Sequence, residues 1–143
     1  MHLFDAFLER NSSVSLGIIN AGAHPALRAL GRRLVWLVQP FKPLAAELEA
    51  LGFKVFTDIP KDCEIPQAIF TALPKNNQEA RFEISRALGL LKPGGVIGVC
   101  GANDAGGKRG AKLLQEFGVD DVQNISKHHA KLAWGVRPAG IAL

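Results

Sequence analysis

The sequence predicts an α/β fold in which a mostly parallel sheet lies between two layers of helices and ends in a C-terminal antiparallel hairpin. Three observations predict this fold. Short apolar runs that are typical of buried strands alternate with stretches of helical spacing. The turns between them are short and contain Gly or Pro. The last two β-like runs are too close together for an intervening helix, so we expect a hairpin there.

The length and composition of the chain are those of a single globular domain. The chain has 143 residues, of which 48% are hydrophobic and 21% charged. No apolar run reaches the roughly 18 residues that a membrane span needs, so we expect no membrane contact. We expect one domain over residues 1–136 and a tail or truncated linker over residues 137–143.

The first residues, MHLFDAFLERN, contain Asp5 and Glu9 and lack the apolar core of a signal peptide, which favours a cytoplasmic location. Cys63 and Cys100 lie far apart, without clustered histidines. We therefore expect reduced structural thiols and no metal site. The net charge of +4 permits nucleic-acid contact without requiring it.

The elements alternate along the chain. Apolar runs predict strands at 15–20, 33–39, 53–59, 67–73, 96–100, 121–126 and 130–136. Helical spacing or composition predicts helices at 3–10, 24–33, 43–52, 76–91 and 107–118.

The helix at 76–91 has the clearest signals. Asn76 stands three residues before Glu79, as in a capping box, and the helix stops at KPGG. One face of it is apolar, comprising Ala80, Ile84, Ala87, Leu88 and Leu91. We predict that Asn76 caps the helix and has no catalytic role.

The glycine-rich stretch GANDAGGKRG, residues 101–110, resembles a phosphate-binding loop but fails as one. A P-loop requires a Gly five positions before its Gly-Lys pair and a hydroxyl residue after it, where this chain has Ala102 and Arg109. The glycine spacing also departs from the dinucleotide fingerprint. We therefore expect no nucleotide hydrolysis.

Cations are concentrated at the start of the helix that follows this loop. Lys108, Arg109 and Lys112 lie where the helix dipole favours anions, so an RNA phosphate is one candidate partner. The alternative is a solvated basic face paired with Asp104 and Glu116.

A second basic cluster lies at the closing hairpin and comprises Lys127, His128 and Lys131. It is a further candidate for RNA contact. The alternative is that these charges protect an edge strand from aggregation.

The order of elements, with LKPGG before the strand at 96–100 and a closing hairpin, resembles the class I S-adenosylmethionine-dependent methyltransferase fold, which is Rossmann-like. Four segments, AHPALRALGRR, LPKNNQEARFEI, GANDAGGKR and SKHHAKLAWGVRP, resemble the amino-terminal half of the ribosomal RNA small-subunit methyltransferase C family, which are guanine-N2 methyltransferases. In that family the carboxy-terminal half carries cofactor and catalysis.

The resemblance implies that this chain is a degenerate half that supports folding or RNA engagement of a catalytic methyltransferase domain. Its implied partners are that domain and the small ribosomal subunit or its rRNA. It also implies that residue 143 lies near the linker between the two halves.

The cofactor positions implied by the resemblance are eroded. Class I methyltransferases usually end the first strand with an acidic residue and a G-x-G-x-G turn, where this chain has Asn20 and keeps only Gly22. They end the second strand with an acidic residue that binds the ribose, where this chain has Gln39. The N-P-P-[FYW] motif of guanine- or adenine-amino methyltransferases is replaced by ALPKN, residues 72–76.

We therefore expect no catalytic residue and no cofactor on this chain. The sequence does not decide whether the chain is itself an enzyme. The alternative function is an S-adenosylmethionine-dependent RNA methyltransferase with an atypical pocket near Gly22 and Pro74. A third interpretation is an interaction module that forms homodimers.

Overall fold

The computed structural model describes residues 14–20, 22, 26–102, 109–127 and 130–140. The helix expected at 3–10, as well as Lys108 and His128, lies outside the described residues.

Strands and helices alternate along the described chain. The strands are β1 (Leu16–Ile19), β2 (Leu34–Val38), β3 (Ala68–Ala72), β4 (Val96–Ala102), β5 (Asp120–Lys127) and β6 (Ala130–Val136). The helices are α1 (Ala26–Leu30), α2 (Lys42–Ala50), α3 (Asn77–Leu90) and α4 (Gly110–Glu116), and a 3₁₀ turn (Gly31–Arg33) follows α1.

The six strands form one sheet in the order β2-β1-β3-β4-β6-β5. The first four are parallel, and β6 runs antiparallel to both β4 and β5. The predicted fold class, a mostly parallel sheet with an antiparallel C-terminal hairpin, is confirmed.

Apolar side chains cover both faces of the sheet. On one face, Ile69 and Val99 pack with residues of α3 and α4 such as Ile84 and Leu113. The cluster on the other face includes residues of α1 and α2, among them Leu27, Leu30 and Leu48. Helices thus cover both faces of the sheet, which gives the three layers expected from the sequence. In the described part of the chain, no helix has the length and apolarity needed to cross a membrane.

The prediction of a strand at 53–59 is wrong. Phe56 alone makes a parallel bridge to β2. Two residues later, a carboxylate oxygen of Asp58 accepts a hydrogen bond from the N–H of Ile59 at 2.8 Å, and the same side chain pairs with Arg86 on α3. A side chain that bonds to nearby backbone competes with ladder formation, so the segment leaves the sheet after one rung.

Two helices end earlier than the sequence indicated. The helix expected at 24–33 ends as α1 at Leu30, because Gly31 has a φ of +52° and begins a 3₁₀ turn. The helix expected at 107–118 ends as α4 at Glu116, and Gly118 beyond it has a φ of +84°. Glycine at these ends adopts the left-handed conformation at little steric cost.

Candidate functional site

The sheet has a switch in direction between β1 and β3. From β1 the chain passes to β2 on one side and then returns to β3 on the other. In open α/β sheets, ligands bind in the crevice at the carboxyl ends of the strands at this point. Here the crevice is a cleft of about 690 Å³, lined by the end of β1, the turn after β2, the loop after β3 and the first turns of α3. We call it the switch-point cleft.

Asn20 lies at the end of β1 and lines this cleft. Its N–H donates to the carbonyl of Val38 at 2.8 Å, which adds one rung beyond the β1–β2 ladder. Its φ is +63°, a conformation that Asn tolerates better than most residues. The residue thus ends the strand and presents a neutral side chain to the cleft.

Gln39 lies at the end of β2 and is only 3% exposed. Its Oε1 accepts a hydrogen bond from the N–H of Phe41 at 3.0 Å, and its own N–H donates to the carbonyl of Phe56 at 2.9 Å. The side chain is thus engaged in the turn that leads into α2.

The loop after β3 is fixed by two side chains. The Oδ1 of Asn76 accepts from the N–H of Glu79 at 3.0 Å, so the predicted cap of α3 is confirmed. The guanidinium of Arg109 donates to the carbonyls of Pro74 and Lys75, at 3.3 and 2.8 Å. It also donates to the side chain of Asn77.

The described lining of the cleft carries negative charge. Glu79 and Glu83 on α3 line it, and no Lys, Arg or His does. Glu83 is paired with Arg86 at 2.8 Å. Phe41 and Phe82, each 59% exposed, are the aromatic residues of the lining. A cationic group in the cleft could therefore pair with Glu79, whereas the carboxylate of Glu83 already pairs with Arg86.

Sequence reasoning missed these four lining residues. Phe82 carried a signal, because it lies off the apolar face of α3 and yet is aromatic. Phe41, Glu79 and Glu83 carried none, since their place in the cleft depends on how α2 and α3 pack against the sheet.

Cys100 on β4 is an unreactive thiol. Burial raises its pKa to about 11, so the thiolate is disfavoured at neutral pH. In the residues that the structure describes, no three His, Cys, Asp or Glu side chains group together in a way that could hold a metal ion.

The candidate RNA contacts are described only in part. Lys112 is exposed on α4, whereas Arg109 is half-buried and holds the loop after β3. Of Lys127 and Lys131 only the backbone is described. Lys131 pairs with Gly101 of β4 in the sheet, so the end of the hairpin lies beside the start of the glycine-rich stretch. The role of these residues in RNA binding stays a prediction.

The family follows from a comparison with family models. The model described as methyltransferase small domain N-terminal matches residues 16–135. The chain belongs to this family. The comparison with curated proteins found no match.

Solved structures share its fold. The N-methyltransferase NodS from Bradyrhizobium japonicum WM9 is 15% identical with a TM-score of 0.67, and the match covers 96% of this chain and 93% of NodS. An S-adenosylmethionine-dependent O-methyltransferase from Thermotoga maritima is 14% identical with a TM-score of 0.70, over 98% of this chain and 66% of that one.

The Thermus thermophilus 16S rRNA N2 G1207 methyltransferase RsmC, solved in complex with AdoMet and guanosine, is 19% identical with a TM-score of 0.66. The match covers 95% of this chain and 42% of RsmC. The chain thus spans about two fifths of the length of RsmC. At these identities the likeness shows the fold, which is that of class I S-adenosylmethionine-dependent methyltransferases.

Proposed function

We propose that this chain is a degenerate methyltransferase-like domain of an rRNA guanine-N2 methyltransferase, and that it supports the folding or RNA engagement of a catalytic half. Two findings support the proposal: the family of the chain, and the fold that it shares with RsmC. The proposal puts the chain in the cytoplasm, with the small ribosomal subunit or its rRNA as a further partner.

The observation that carries the proposal is that Gln39, at the end of β2, uses its side chain in a hydrogen bond to the turn before α2. In the family that the sequence resembles, an acidic residue at the end of the second strand binds the ribose hydroxyls of the cofactor. A carboxylate does so through two charge-assisted hydrogen bonds. Gln39 offers a neutral amide, and its oxygen already accepts from the N–H of Phe41. In place of the ribose contact expected of that family, Gln39 makes a contact that stabilises a turn.

The loop after β3 supports the same conclusion. In guanine- or adenine-amino methyltransferases of this type, an Asn in this loop holds the exocyclic amine of the base. Here Asn76 accepts from the N–H of Glu79 as a helix cap. Its oxygen is thus committed to the start of α3, and the loop keeps no aromatic residue at 72–76 for stacking on a base.

A methyl-transfer assay tests the proposal. The chain is incubated with tritiated S-adenosylmethionine and small-subunit rRNA, with a competent guanine-N2 methyltransferase as the positive control. We expect no incorporation above background. Incorporation that increases with the concentration of this chain would overturn the proposal.

The supporting role needs a separate assay. A catalytic domain of the guanine-N2 type is expressed with and without this chain, and its soluble yield and its affinity for rRNA are measured. The proposal predicts that at least one of the two increases in the presence of the chain. Equal yield and equal affinity would contradict a supporting role.

A second candidate is an S-adenosylmethionine-dependent RNA methyltransferase with an atypical pocket. The observation in its favour is that the switch-point cleft is open, at about 690 Å³, and lined by two carboxylates. Among the described residues, none has an atom within 4 Å of a Cβ added at Gly22. Asn20 and Gln39 would then hold the cofactor, whose sulfonium cation suits an acidic cleft. This candidate predicts saturable cofactor binding that is weakened in Gln39→Ala.

A further inference from the structure

Helix α3 already holds one arginine between a carboxylate and an aromatic ring. The guanidinium of Arg86 pairs with Glu83 at 2.8 Å, and its central carbon lies 5.4 Å from the ring centre of Phe82. A guanidinium is planar, so it can bond to a carboxylate through its edge and stack on a ring with its face. This arrangement is an arginine site that the chain fills with a side chain of its own.

Glu79 offers a second carboxylate beside the same ring. Glu79 and Phe82 are three residues apart on α3, a spacing that makes two side chains neighbours on a helix surface. Both residues line the switch-point cleft. In the described part of the chain, no hydrogen bond or ion pair engages the carboxylate of Glu79. A cation that enters the cleft would thus meet an unpaired carboxylate next to an aromatic ring.

The two aromatic rings of the cleft are largely uncovered. Phe41 and Phe82 are each 59% exposed, although Arg86 already lies over the ring of Phe82. A small-molecule site buries most of its ligand, whereas aromatic side chains on an open surface are typical of protein–protein contacts, in which arginine is also enriched. The cleft therefore suits a side chain presented on a protein surface better than it suits a small ligand.

Charge decides which macromolecule fits the cleft. Its described lining contains Glu79 and Glu83 and no Lys, Arg or His, so it has no cation to pair with the phosphates of a nucleic acid. A second copy of this chain, paired about a two-fold axis, would bring Glu79 near its own equivalent, and like charges across an interface cost affinity. A different protein with a surface arginine has the complementary charge.

We propose that the switch-point cleft is a docking site for a surface arginine of a partner protein. The guanidinium pairs with the carboxylate of Glu79 and stacks on Phe82, and apolar residues beside the arginine contact Phe41. This inference rests on the proposed function, since the cleft is open to a partner only if no cofactor fills it.

The probe is an acetylated and amidated peptide, Ala-Leu-Arg-Leu-Ala, which is titrated into the ¹⁵N-labelled chain and followed by NMR. We expect saturable shifts at the backbone amides of Glu79, Phe82 and Phe41. A peptide with citrulline in place of arginine keeps the shape but not the charge, and it should bind about fivefold more weakly. A peptide with lysine should bind about threefold more weakly, because an ammonium group lacks the planar fork of a guanidinium.

Variants locate the binding site. Glu79→Gln and Phe82→Leu should each lower the affinity for the arginine peptide about threefold, as for an exposed ion pair and for a cation over a ring. Glu79→Gln keeps the backbone N–H that Asn76 caps, so α3 should remain intact. The matched control is Glu49→Gln, which removes an exposed carboxylate of α2 outside the cleft and should leave the affinity unchanged. Circular dichroism checks that all variants are folded.

Three results would overturn the proposal. The first is the absence of saturable shifts at Glu79 and Phe82 up to about 10 mM arginine peptide. The second is equal affinity for the arginine and the citrulline peptides. The third is equal affinity of the natural chain and Glu79→Gln, because the carboxylate would then serve α3 alone.

A parallel titration with S-adenosylmethionine separates this inference from the proposed function. Saturable shifts at Asn20 and Gln39 with the cofactor would overturn both, because the cleft would then be a cofactor pocket. No shifts with either the cofactor or the peptide would overturn the docking site alone. Shifts at Phe41 and Phe82 that grow with protein concentration in the absence of peptide would place a second copy in the cleft and would also overturn the docking site.

Discussion

Arg109 joins the start of α4 to the loop after β3. Its guanidinium donates to the carbonyls of Pro74 and Lys75 and to the side chain of Asn77. Hydrogen bonds from a charged donor contribute about 1.5–3 kcal/mol when the donor is partly buried. We expect Arg109→Ala to lower the free energy of unfolding in urea by about 2 kcal/mol.

The control for Arg109 is its neighbour Lys112, which is exposed on α4. Lys112→Ala should change the free energy of unfolding by less than about 0.5 kcal/mol. If Arg109→Ala were equally neutral, the guanidinium would not be holding the loop, and its main role would lie elsewhere, such as in RNA contact.

The two thiols should differ in reactivity. Burial raises the pKa of Cys100 to about 11, whereas Cys63 is only partly buried and donates to the carbonyl of Pro60 at 3.1 Å. At pH 8 we expect a disulfide reagent to modify Cys63 in the folded protein and Cys100 only after unfolding. Cys63→Ser should therefore leave no fast-reacting thiol. Equal rates for the two thiols would contradict the buried environment of Cys100.

The same pKa implies a dependence of stability on pH. The Cys100 thiol ionises near its ordinary value of 9.0 when unfolded and near 11 when folded. The unfolded state therefore releases a proton first as pH rises. The stabilising contribution is complete below pH 9 and is lost between pH 9 and 11. Cys100→Ala should make the unfolding free energy less steep over this interval.

At the scale of elements, α3 depends on its cap. Asn76→Ala removes the acceptor for the N–H of Glu79 and should lower the free energy of unfolding by about 1 kcal/mol. Asn76→Ser keeps an oxygen at the cap and should restore most of this loss. A loss in both variants alike would mean that Asn76 acts through something other than its cap bond.

Lys108, Arg109 and Lys112 stay predicted RNA contacts, and of these Arg109 also donates to the loop after β3. If both lysines contact phosphates, Lys108→Ala with Lys112→Ala should weaken an rRNA gel shift and reduce its logarithmic salt slope by about 1.4. The matched control is Lys92→Ala, an exposed lysine just after α3. An unchanged salt slope would remove this cluster from the RNA interface.

The fold could be predicted where signals were local and agreed. The cap at Asn76, the apolar face of α3 and the stop at KPGG all indicate the same helix, which forms as expected. The segment at 53–59 alternates as a strand does, yet it pairs only at Phe56. After Phe56, the side chain of Asp58 accepts from the N–H of Ile59 and pairs with Arg86 on α3, and the contact with Arg86 has no local signal in the sequence.

The candidate site could be predicted only at its strand ends. Asn20 and Gln39 follow apolar runs, and parallel strands place their carboxyl ends at one edge, so both reach the switch-point cleft. Their hydrogen bonds could not be predicted, because the turn that Gln39 stabilises is not encoded by spacing. Phe41 also lines the cleft, and its place there depends on how α2 packs against the sheet.

At the scale of the molecule, charge is separated between two surfaces. The carboxylates of Glu79 and Glu83 line the switch-point cleft, whereas the cations Arg28 and Lys54 line a groove between the edge of β2 and the segment at 52–54. The net charge of +4 therefore says little about either surface.

The central claim is that the cofactor position of this methyltransferase-like domain has been lost. Isothermal titration calorimetry with S-adenosylmethionine tests it most directly, with the Gln39→Asp variant as a second arm, since it restores a carboxylate at the end of β2. Loss of the cofactor position predicts no saturable heat for the natural chain up to high micromolar cofactor. A saturable heat that disappears in Gln39→Ala would contradict the account and establish the switch-point cleft as a cofactor pocket.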